Sequence, residues 1–171
     1  AARPTICSMS FANRQSRRKS YNIAGHAHEL TFSCFRRYPF LKAERCCQWL
    51  AEAILAARER HDVALWGYVF MPDHVHLSIF PRGEQYEISR ILEAIKRPVG
   101  VQAIRYLQAT SSPWLNRLTR RRGQRTERLF WQSGGGYDRN ITSPRTLLRM
   151  LEYLHENPVR KGLVTRAQDW L

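Results

Sequence analysis

This sequence contains few acidic residues and no long hydrophobic run. Its 14 Asp and Glu residues face 28 Lys and Arg residues, which leaves a formal net charge of +14. No apolar stretch reaches the roughly 18 residues that a membrane-spanning helix requires, so we expect no such helix. An excess of positive charge repels itself unless an anionic partner neutralises it. Nucleic acid is the partner this composition favours, because each Lys or Arg that meets a phosphate releases a condensed counterion; a membrane surface is the weaker alternative.

Cysteine is also scarce and does not occur in metal-binding or disulfide patterns. The four cysteines, Cys7, Cys34, Cys46 and Cys47, form no C-x-x-C pair and no cysteine–histidine spacing of the zinc-finger kind. This pattern predicts buried thiols in a reduced, cytoplasmic setting. No apolar segment follows the first basic residues, so we expect no signal peptide.

The composition is sufficient for one compact domain. Hydrophobic residues make up 43% of the 171 residues, enough to bury a core. Residues 1–20 differ, because Arg17, Arg18 and Lys19 stand among small polar residues with few apolar groups. We expect residues 1–20 to form a basic flexible arm and residues 21–171 to form a single domain.

A second basic segment lies inside this domain. Residues 111–128 include Arg120, Arg121, Arg122 and Arg125, with Glu127 as the single acid. They predict a basic loop that contacts phosphates, and a plain solvated surface loop is the alternative.

Hydrophobic periodicity predicts the order strand, helix, strand, strand, helix, strand, helix. The strands are expected over residues 28–38, 63–71, 75–80 and 130–141, and the helices over residues 41–61, 86–97 and from 144 onward. The last helix carries the apolar stripe Leu147, Leu148, Leu151 and Leu154. Pro98 is expected to break or kink the second helix after Arg97, because its ring disfavours helical geometry in the preceding residue.

The segment MPDHVHL carries a pair of histidines, His74 and His76. Side chains alternate along a strand, so both imidazoles lie on one face while Val75 and Leu77 point into the core. Two imidazoles so placed can hold one divalent metal ion. A structural role, in which the histidines only hold the sheet together, is the alternative.

The pair His26 and His28 repeats this spacing at the start of the first predicted strand. It has no apolar residue before Leu30 and follows Gly25. We interpret it as a surface strand end and not as a metal site.

The segment LEYLHENPVRKGLV contains Tyr153 and Asn157, four residues apart and therefore neighbours on one helix face. This face flanks the leucine stripe. Asn157 precedes Pro158 and is expected to cap or end the helix, with its amide free to reach outward. Tyr153 is a candidate functional residue, and a rim tyrosine closing the core is the alternative.

Together these two segments resemble a known family. YVFMPDHVHL at residues 68–77, followed by YLHENPVRKGLV at residues 153–164, is similar to the REP-associated tyrosine transposases. These are relatives of the single-tyrosine insertion-sequence transposases within the HUH single-strand endonucleases. The resemblance covers residues 21–171. It implies an α+β fold with a ferredoxin-like β-α-β-β-α-β core, whose antiparallel sheet carries the histidines on a central strand and faces a C-terminal helix with the catalytic tyrosine.

The resemblance also implies a chemistry. His74, His76 and Asn157 would be ligands of Mg²⁺ or Mn²⁺, and Tyr153 would be the nucleophile that cleaves DNA through a 5′-phosphotyrosine intermediate. The implied substrate is single-stranded DNA next to a palindromic hairpin. A monomer acting in cis is favoured and a dimer is the alternative, in a bacterial, nucleoid-associated setting. A basic domain that binds nucleic acid on the same fold without cleaving it is the competing function.

Basic and aromatic side chains would complete the DNA contacts. Trp66, Trp114 and Trp131 are candidates for stacking on bases, although each also suits a core position. The predicted DNA-binding residues are Arg17, Arg18, Lys19, Arg36, Arg37, Arg120, Arg121, Arg122 and Arg125.

Overall fold

A computed structural model describes residues 21–170 of the chain. The strands are β1 (Ala27–Ser33), β2 (Val63–Phe70), β3 (His74–Pro81), β4 (Thr119–Arg122), β5 (Arg125–Arg128) and β6 (Tyr137–Ile141). The α-helices are α1 (Glu44–Arg60), α2 (Ile88–Ala109), α3 (Trp114–Arg117) and α4 (Pro144–Arg160), and short 3₁₀ turns cover Phe35–Arg37, Phe40–Lys42 and Ala167–Asp169. The predicted arm at residues 1–20, with Arg17, Arg18 and Lys19, lies outside the described residues.

Four strands form the central sheet, in the order β2-β3-β1-β6 with antiparallel neighbours. Strand β3 is central, paired with β2 on one side and β1 on the other. This order confirms the predicted ferredoxin-like core. Strands β4 and β5 pair only with each other, outside that sheet.

The two faces of the sheet bury different helices. Leu30 and Phe32 of β1, with Val75 and Leu77 of β3, are buried in a core shared with α1 and α2. Because strand side chains alternate, the residues between them point to the other face, which α4 covers. The histidines of β3 therefore face α4.

A bulge in β2 allows α4 to lie close to the sheet. The pairing of β2 with β3 shifts between Leu65 and Gly67. A Cβ atom at Gly67 would stand 2.9 Å from Cδ2 of Leu151, a residue of α4. The absent side chain thus lets the helix pack directly against the strand, which sets the height of Tyr153 above the sheet.

Helix α2 is continuous across Pro98, so of the two predicted outcomes, a break or a kink after Arg97, the break is wrong. The buried stripe of this helix, including Ile95 and Val99 on either side of the proline, is uninterrupted. Burial of that stripe outweighs the lost backbone hydrogen bond, as tertiary packing commonly overrides local preference. Neither α2 nor any other helix among residues 21–170 is long and apolar enough to cross a membrane.

Residues 111–128 are a short helix and a β-hairpin instead of the predicted loop. Arg122 pairs with Arg125 across the two-residue turn Gly123 and Gln124. Gly123 has a φ of 60°, which the tight turns of two-residue hairpins require at this position. The arginine-rich sequence hid this hairpin because it lacks the alternating apolar residues of a half-buried strand.

Helix α4 and the first strand differ in detail from their predictions. Met150 is buried whereas Leu148 is 61% exposed, so the apolar face of α4 is rotated from the predicted leucine stripe. The first strand is shorter than predicted, because the chain turns into a 3₁₀ helix at Phe35. Cys34 and Cys46 are buried and free, as predicted.

We expect Gly136→Ala to destabilise the fold by about 2 to 4 kcal/mol. Gly136 has a φ of 80°, and a Cβ there would lie 2.1 Å from the backbone oxygen of Thr31. The substitution therefore adds backbone strain and pushes β6 away from β1. Urea unfolding measures the loss. Gly135→Ala is the matched control, since a Cβ at Gly135 meets nothing within 4 Å; equal stability of the two variants would contradict the expectation.

Candidate active site

The histidine pair of β3 is held with its ring nitrogens together. His74 and His76 are both buried, and their Nε2 atoms lie 3.1 Å apart. Two nitrogens bound to one cation at about 2.1 Å and a right angle would be about 3.0 Å apart. The pair is thus already spaced as two adjacent ligands of a single ion.

Two neighbouring side chains orient these rings. Asp73 Oδ1 lies 2.6 Å from His74 Nδ1, and Thr31 Oγ1 lies 2.8 Å from His76 Nδ1. An oxygen that accepts the Nδ1–H proton leaves the Nε2 lone pair free to bind a metal. Sequence reasoning overlooked both residues as partners. Asp73 adjoins His74 in the motif, whereas Thr31 is found only through the pairing of Thr31 with His76 between β1 and β3.

Asn157 points into the site from α4. Its side chain is buried, with Nδ2 3.2 Å from His76 Nε2 and with Oδ1 buried and unpartnered. The prediction that Asn157 ends the helix with an outward amide is wrong. Pro158 is buried within α4, and Lys161 N donates to Asn157 O one turn later, so the helix continues to Arg160 and turns the amide inward.

These donors fit a divalent cation. No group of three histidine, cysteine or carboxylate side chains able to hold a metal occurs among residues 21–170, so a third ligand here must be of another type. The unpartnered Oδ1 of Asn157 is such a donor, because rotation of the amide exchanges its oxygen and nitrogen beside His76. Two imidazoles and one amide oxygen leave open positions for substrate oxygens and water, and oxygen-rich coordination suits Mg²⁺ or Mn²⁺.

Tyr153 stands at the rim of this cluster. Its side chain is 37% exposed, and its ring centroid lies 5.7 Å from that of His76, nearly perpendicular to it. The guanidinium of Arg160 lies 5.5 Å from the centre of the tyrosine ring. The ring is therefore accessible to solvent beside the histidines.

The protonation states favour metal-ligating forms. Burial lowers the pKa of His76 to about 4, with further contributions from the charges of His74, Arg37 and Lys161. Burial alone would raise the pKa of Asp73, but the hydrogen bond from His74 and the charges of His74 and Arg37 hold it below its usual range. At neutral pH, His76 is therefore an uncharged imidazole and Asp73 an ionised acceptor.

The lowered pKa of His76 predicts a pH-dependent stability in EDTA. Its folded pKa of about 4 lies below the ordinary 6.5, so the unfolded chain binds more protons between these values. This contribution to stability is complete above pH 6.5 and is lost as the pH falls towards 4. We expect Tm to drop more steeply over this range in the wild type than in His76→Gln. Parallel Tm profiles would contradict the assignment.

A polar groove adjoins the cluster. It has a volume of about 610 Å³ and is lined in part by His76, Tyr153 and Arg149. Arg139 lies on its wall in an ion pair of 2.7 Å with the nearly buried Glu29. Arg149 precedes Tyr153 by one helical turn, a spacing visible in the sequence but not singled out there.

Arg37 reaches the histidines through Asp73, and Arg36 precedes it in the same 3₁₀ turn. Both have left-handed backbone conformations, with φ of 53° and 58°. Arg37 Nη1 lies 3.3 Å from Asp73 Oδ2, and the backbone N–H of Arg36 donates to Gln132 Oε1. Non-glycine residues adopt this conformation at a cost of about 1 to 3 kcal/mol each, so the chain holds the two arginines here against local preference.

The other predicted DNA contacts are spread over the surface. Arg121, Arg122 and Arg125 are exposed on the β4–β5 hairpin, whereas Arg120 is half-buried and pairs with Glu127 at 2.6 Å. The hairpin strands β4 and β5 do not form part of the central sheet.

The three candidate tryptophans have different environments. Trp131 is buried and its Nε1–H donates to Lys96 O, so it is a core residue and not a stacking surface. Trp114 packs edge-on against Tyr38 and Phe40. Trp66 is 41% exposed and stacks on Phe80.

The second histidine pair is divided between two hydrogen-bond networks. His28 is fully buried, between Asp138 at 2.7 Å and the hydroxyl of Tyr86 at 2.8 Å. His26 instead contacts Asn140. The expectation of a surface strand end is therefore wrong for His28, which is a structural residue tying β1 to β6.

Comparison with known proteins identifies the family. A family model described as IS200-like transposase matches residues 22–157. The chain belongs to the IS200-like transposase family. This transposase is thus an enzyme that nicks DNA and transfers strands, as the resemblance of its two motifs implied.

A solved structure with the same fold and a second, less similar one match this IS200-like transposase. A REP-associated tyrosine transposase bound to a REP hairpin has 21% sequence identity and a TM-score of 0.66, covering 91% of this chain and 79% of that one. A proposed transposase from Deinococcus radiodurans R1 has 18% identity and a TM-score of 0.49, covering 84% and 96%. No curated protein sequence matches the chain at a significant level.

Proposed function

We propose that this transposase cleaves single-stranded DNA beside a hairpin, using Tyr153 as nucleophile and a divalent metal held by His74, His76 and Asn157. One observation carries the proposal. The paired Nε2 atoms of the histidines lie beside the buried side-chain amide of Asn157, whose oxygen has no partner, and next to an exposed tyrosine ring. A set of oriented donors with open positions beside a nucleophile is what phosphodiester cleavage requires.

The tyrosine needs help, because an unperturbed phenol has a pKa of about 10 and is a poor nucleophile at neutral pH. Bound Mg²⁺ or Mn²⁺ supplies Lewis acidity at a non-bridging phosphate oxygen. Asp73 and Thr31 keep the histidine lone pairs directed at the ligand position. Arg160, beside the tyrosine ring, adds positive charge where the phenol loses its proton.

The reaction exchanges one phosphoester for another. The Oη atom of Tyr153 forms a bond to phosphorus, the bond from phosphorus to the 3′ oxygen breaks, and that oxygen leaves as a 3′-hydroxyl after gaining a proton. The phenol proton passes to solvent or substrate. Since no ester bond is lost, a 3′-hydroxyl can reverse the step and join strands without ATP.

The substrate class follows from charge and from the related structure. The REP-associated transposase with this fold was solved on a REP hairpin, which supports hairpin DNA as the substrate here. Arg37 beside Asp73, and Arg149 in the groove, suit a single-stranded phosphate backbone entering the site. Tyr153 and His76 are adjacent within one chain, which supports a monomer acting in cis.

The competing function, DNA binding without cleavage, explains the charge but not the unpartnered oxygen of Asn157. A structural histidine pair would likewise leave the buried, unpartnered oxygen of Asn157 without a role. Both alternatives predict that no bond forms between the protein and DNA.

A trapping experiment tests the proposal. Labelled single-stranded DNA hairpins with randomised flanks are mixed with the protein and Mg²⁺ or Mn²⁺, then denatured. We expect a covalent DNA–protein adduct whose attachment site maps to Tyr153 by mass spectrometry. Tight binding without an adduct across flanks and both metals would favour the non-cleaving domain.

A further inference from the structure

The β4–β5 hairpin, residues 119–128, is a basic ribbon outside the catalytic sheet. It carries Arg120, Arg121, Arg122, Arg125 and Arg128 against one acid, Glu127. Arg120 pairs with Glu127 directly across the ladder at 2.6 Å, and this hydrogen bond lowers the pKa of Glu127. The acid is thereby neutralised, and the four other arginines are exposed.

The ribbon is narrow enough to enter a DNA groove. Its ladder has four residue pairs, closed by a two-residue turn at Gly123 and Gln124. Four residues per strand span about 10 Å, and two paired strands lie about 4.8 Å apart. The major groove of B-form DNA is about 12 Å wide and admits a two-stranded ribbon.

Arginines occur on both faces of this ribbon. Side chains alternate, so Arg122 and Arg125 lie on one face and Arg121 and Arg128 on the other. A groove presents phosphates on both sides and base edges at its floor. A ribbon with cations on both faces and beside its tip can contact the phosphates on both sides of such a groove. A single DNA strand would contact only one face of the ribbon.

The base of the ribbon is placed at the catalytic end of the sheet. Leu129 N donates to Leu118 O where the two strands leave the body, and Gln132 N donates to Ser33 O. Ser33 pairs with His74 between β1 and β3. Phe35 N also donates to Phe130 O, and Cys34 N donates to Asp73 O, so the ribbon stands at the end of the sheet that carries the histidines.

We propose that the ribbon of residues 119–128 inserts into the major groove of the hairpin stem and so delivers the adjoining single strand to Tyr153. This inference rests on the proposed function, since it assigns the stem of the same substrate to a separate surface. It makes duplex recognition and strand cleavage separable properties of the chain.

The test compares two DNA probes with the full chain. One is a DNA hairpin with a single-stranded flank; the other has the same flank and length but a scrambled sequence that cannot pair. For the variant R121Q/R122Q/R125Q we expect hairpin affinity to fall on the order of 10²-fold, with the salt slope reduced by about 3. Binding and adduct yield on the unpaired probe are expected to stay at the wild-type level, which also reports correct folding.

A matched variant removes the same charge elsewhere. R58Q/R60Q/R82Q changes three exposed arginines at the opposite end of the sheet, where Val63 pairs with Pro81. It is expected to retain the preference for the hairpin. Equal losses in both variants, or equal losses on both probes, would overturn the proposal.

An RNA hairpin of the same sequence separates groove insertion from general charge attraction. The major groove of A-form RNA is too deep and narrow for side chains to read, so RNA is expected to compete poorly. Equal competition by RNA would overturn the assignment to the major groove. If adducts never form while the hairpin preference still depends on the ribbon, the proposed cleavage fails and the stem assignment stands.

Discussion

Replacing Tyr153 by phenylalanine is expected to abolish the covalent adduct and strand transfer while leaving DNA binding unchanged. The substitution removes only the hydroxyl of a side chain that is 37% exposed, so the ring and its edge contact with His76 remain. Loss of a covalent nucleophile typically lowers turnover on the order of 10⁴-fold or more. Gel analysis of denatured reactions measures the adduct, and fluorescence anisotropy measures binding.

Tyr137 provides the matched control for this substitution. It lines the same groove and is similarly exposed, at 37%, but lies on β6 and not on α4. Tyr137→Phe is expected to leave a full adduct signal. If Tyr153→Phe still forms the adduct, another residue is the nucleophile and the assignment of α4 as the catalytic helix is wrong.

Replacing His76 by alanine is expected to give the second largest loss, on the order of 10²- to 10³-fold in the rate of cleavage. His76 contacts both other proposed ligands and Thr31: its Nε2 atom lies 3.1 Å from His74 Nε2 and 3.2 Å from Asn157 Nδ2, and its Nδ1 atom contacts Thr31 Oγ1. Removing His76 leaves His74 and Asn157 as potential ligands without the residue that lies between them. Single-turnover kinetics with hairpin DNA measures this loss.

Metal binding is measured separately from cleavage. Titration of the DNA-free protein with Mn²⁺, followed by calorimetry, is expected to show one site in the wild type and a strongly weakened site in His76→Ala. His26→Ala is the control, because His26 contacts Asn140 away from the cluster. EDTA is expected to reduce wild-type cleavage to the level of His76→Ala. Full activity in EDTA would exclude the metal from the mechanism.

The sequence determined the parts of the site that depend on local periodicity. The alternation of side chains along β3 predicted that His74 and His76 share one face of the sheet. The structure places them on the same face. The four-residue spacing of Tyr153 and Asn157 likewise placed them on one side of a helix. Both predictions required only the geometry of a single element.

Contacts between distant segments were beyond prediction from one sequence. Thr31 reaches His76 through the register of β1 against β3, which depends on packing of the whole sheet. Pro98 and Pro158 are helix breakers by local rule, yet burial of their helices overrides that rule. The β4–β5 hairpin was hidden because its residues are polar on both faces, so no core imposes a pattern on them.

The hydrogen bond between Leu118 and Leu129 makes the arginine ribbon a module. Its two ends leave the body 2.9 Å apart from N to O, above the fully buried side chain of Leu118. A segment whose ends meet can be lengthened, shortened or exchanged without moving the elements on which it stands. On the proposed stem assignment, relatives could acquire new stem preferences by changing residues 119–128 alone. Grafting another ribbon between these two leucines is then expected to redirect the same catalytic core to a different hairpin.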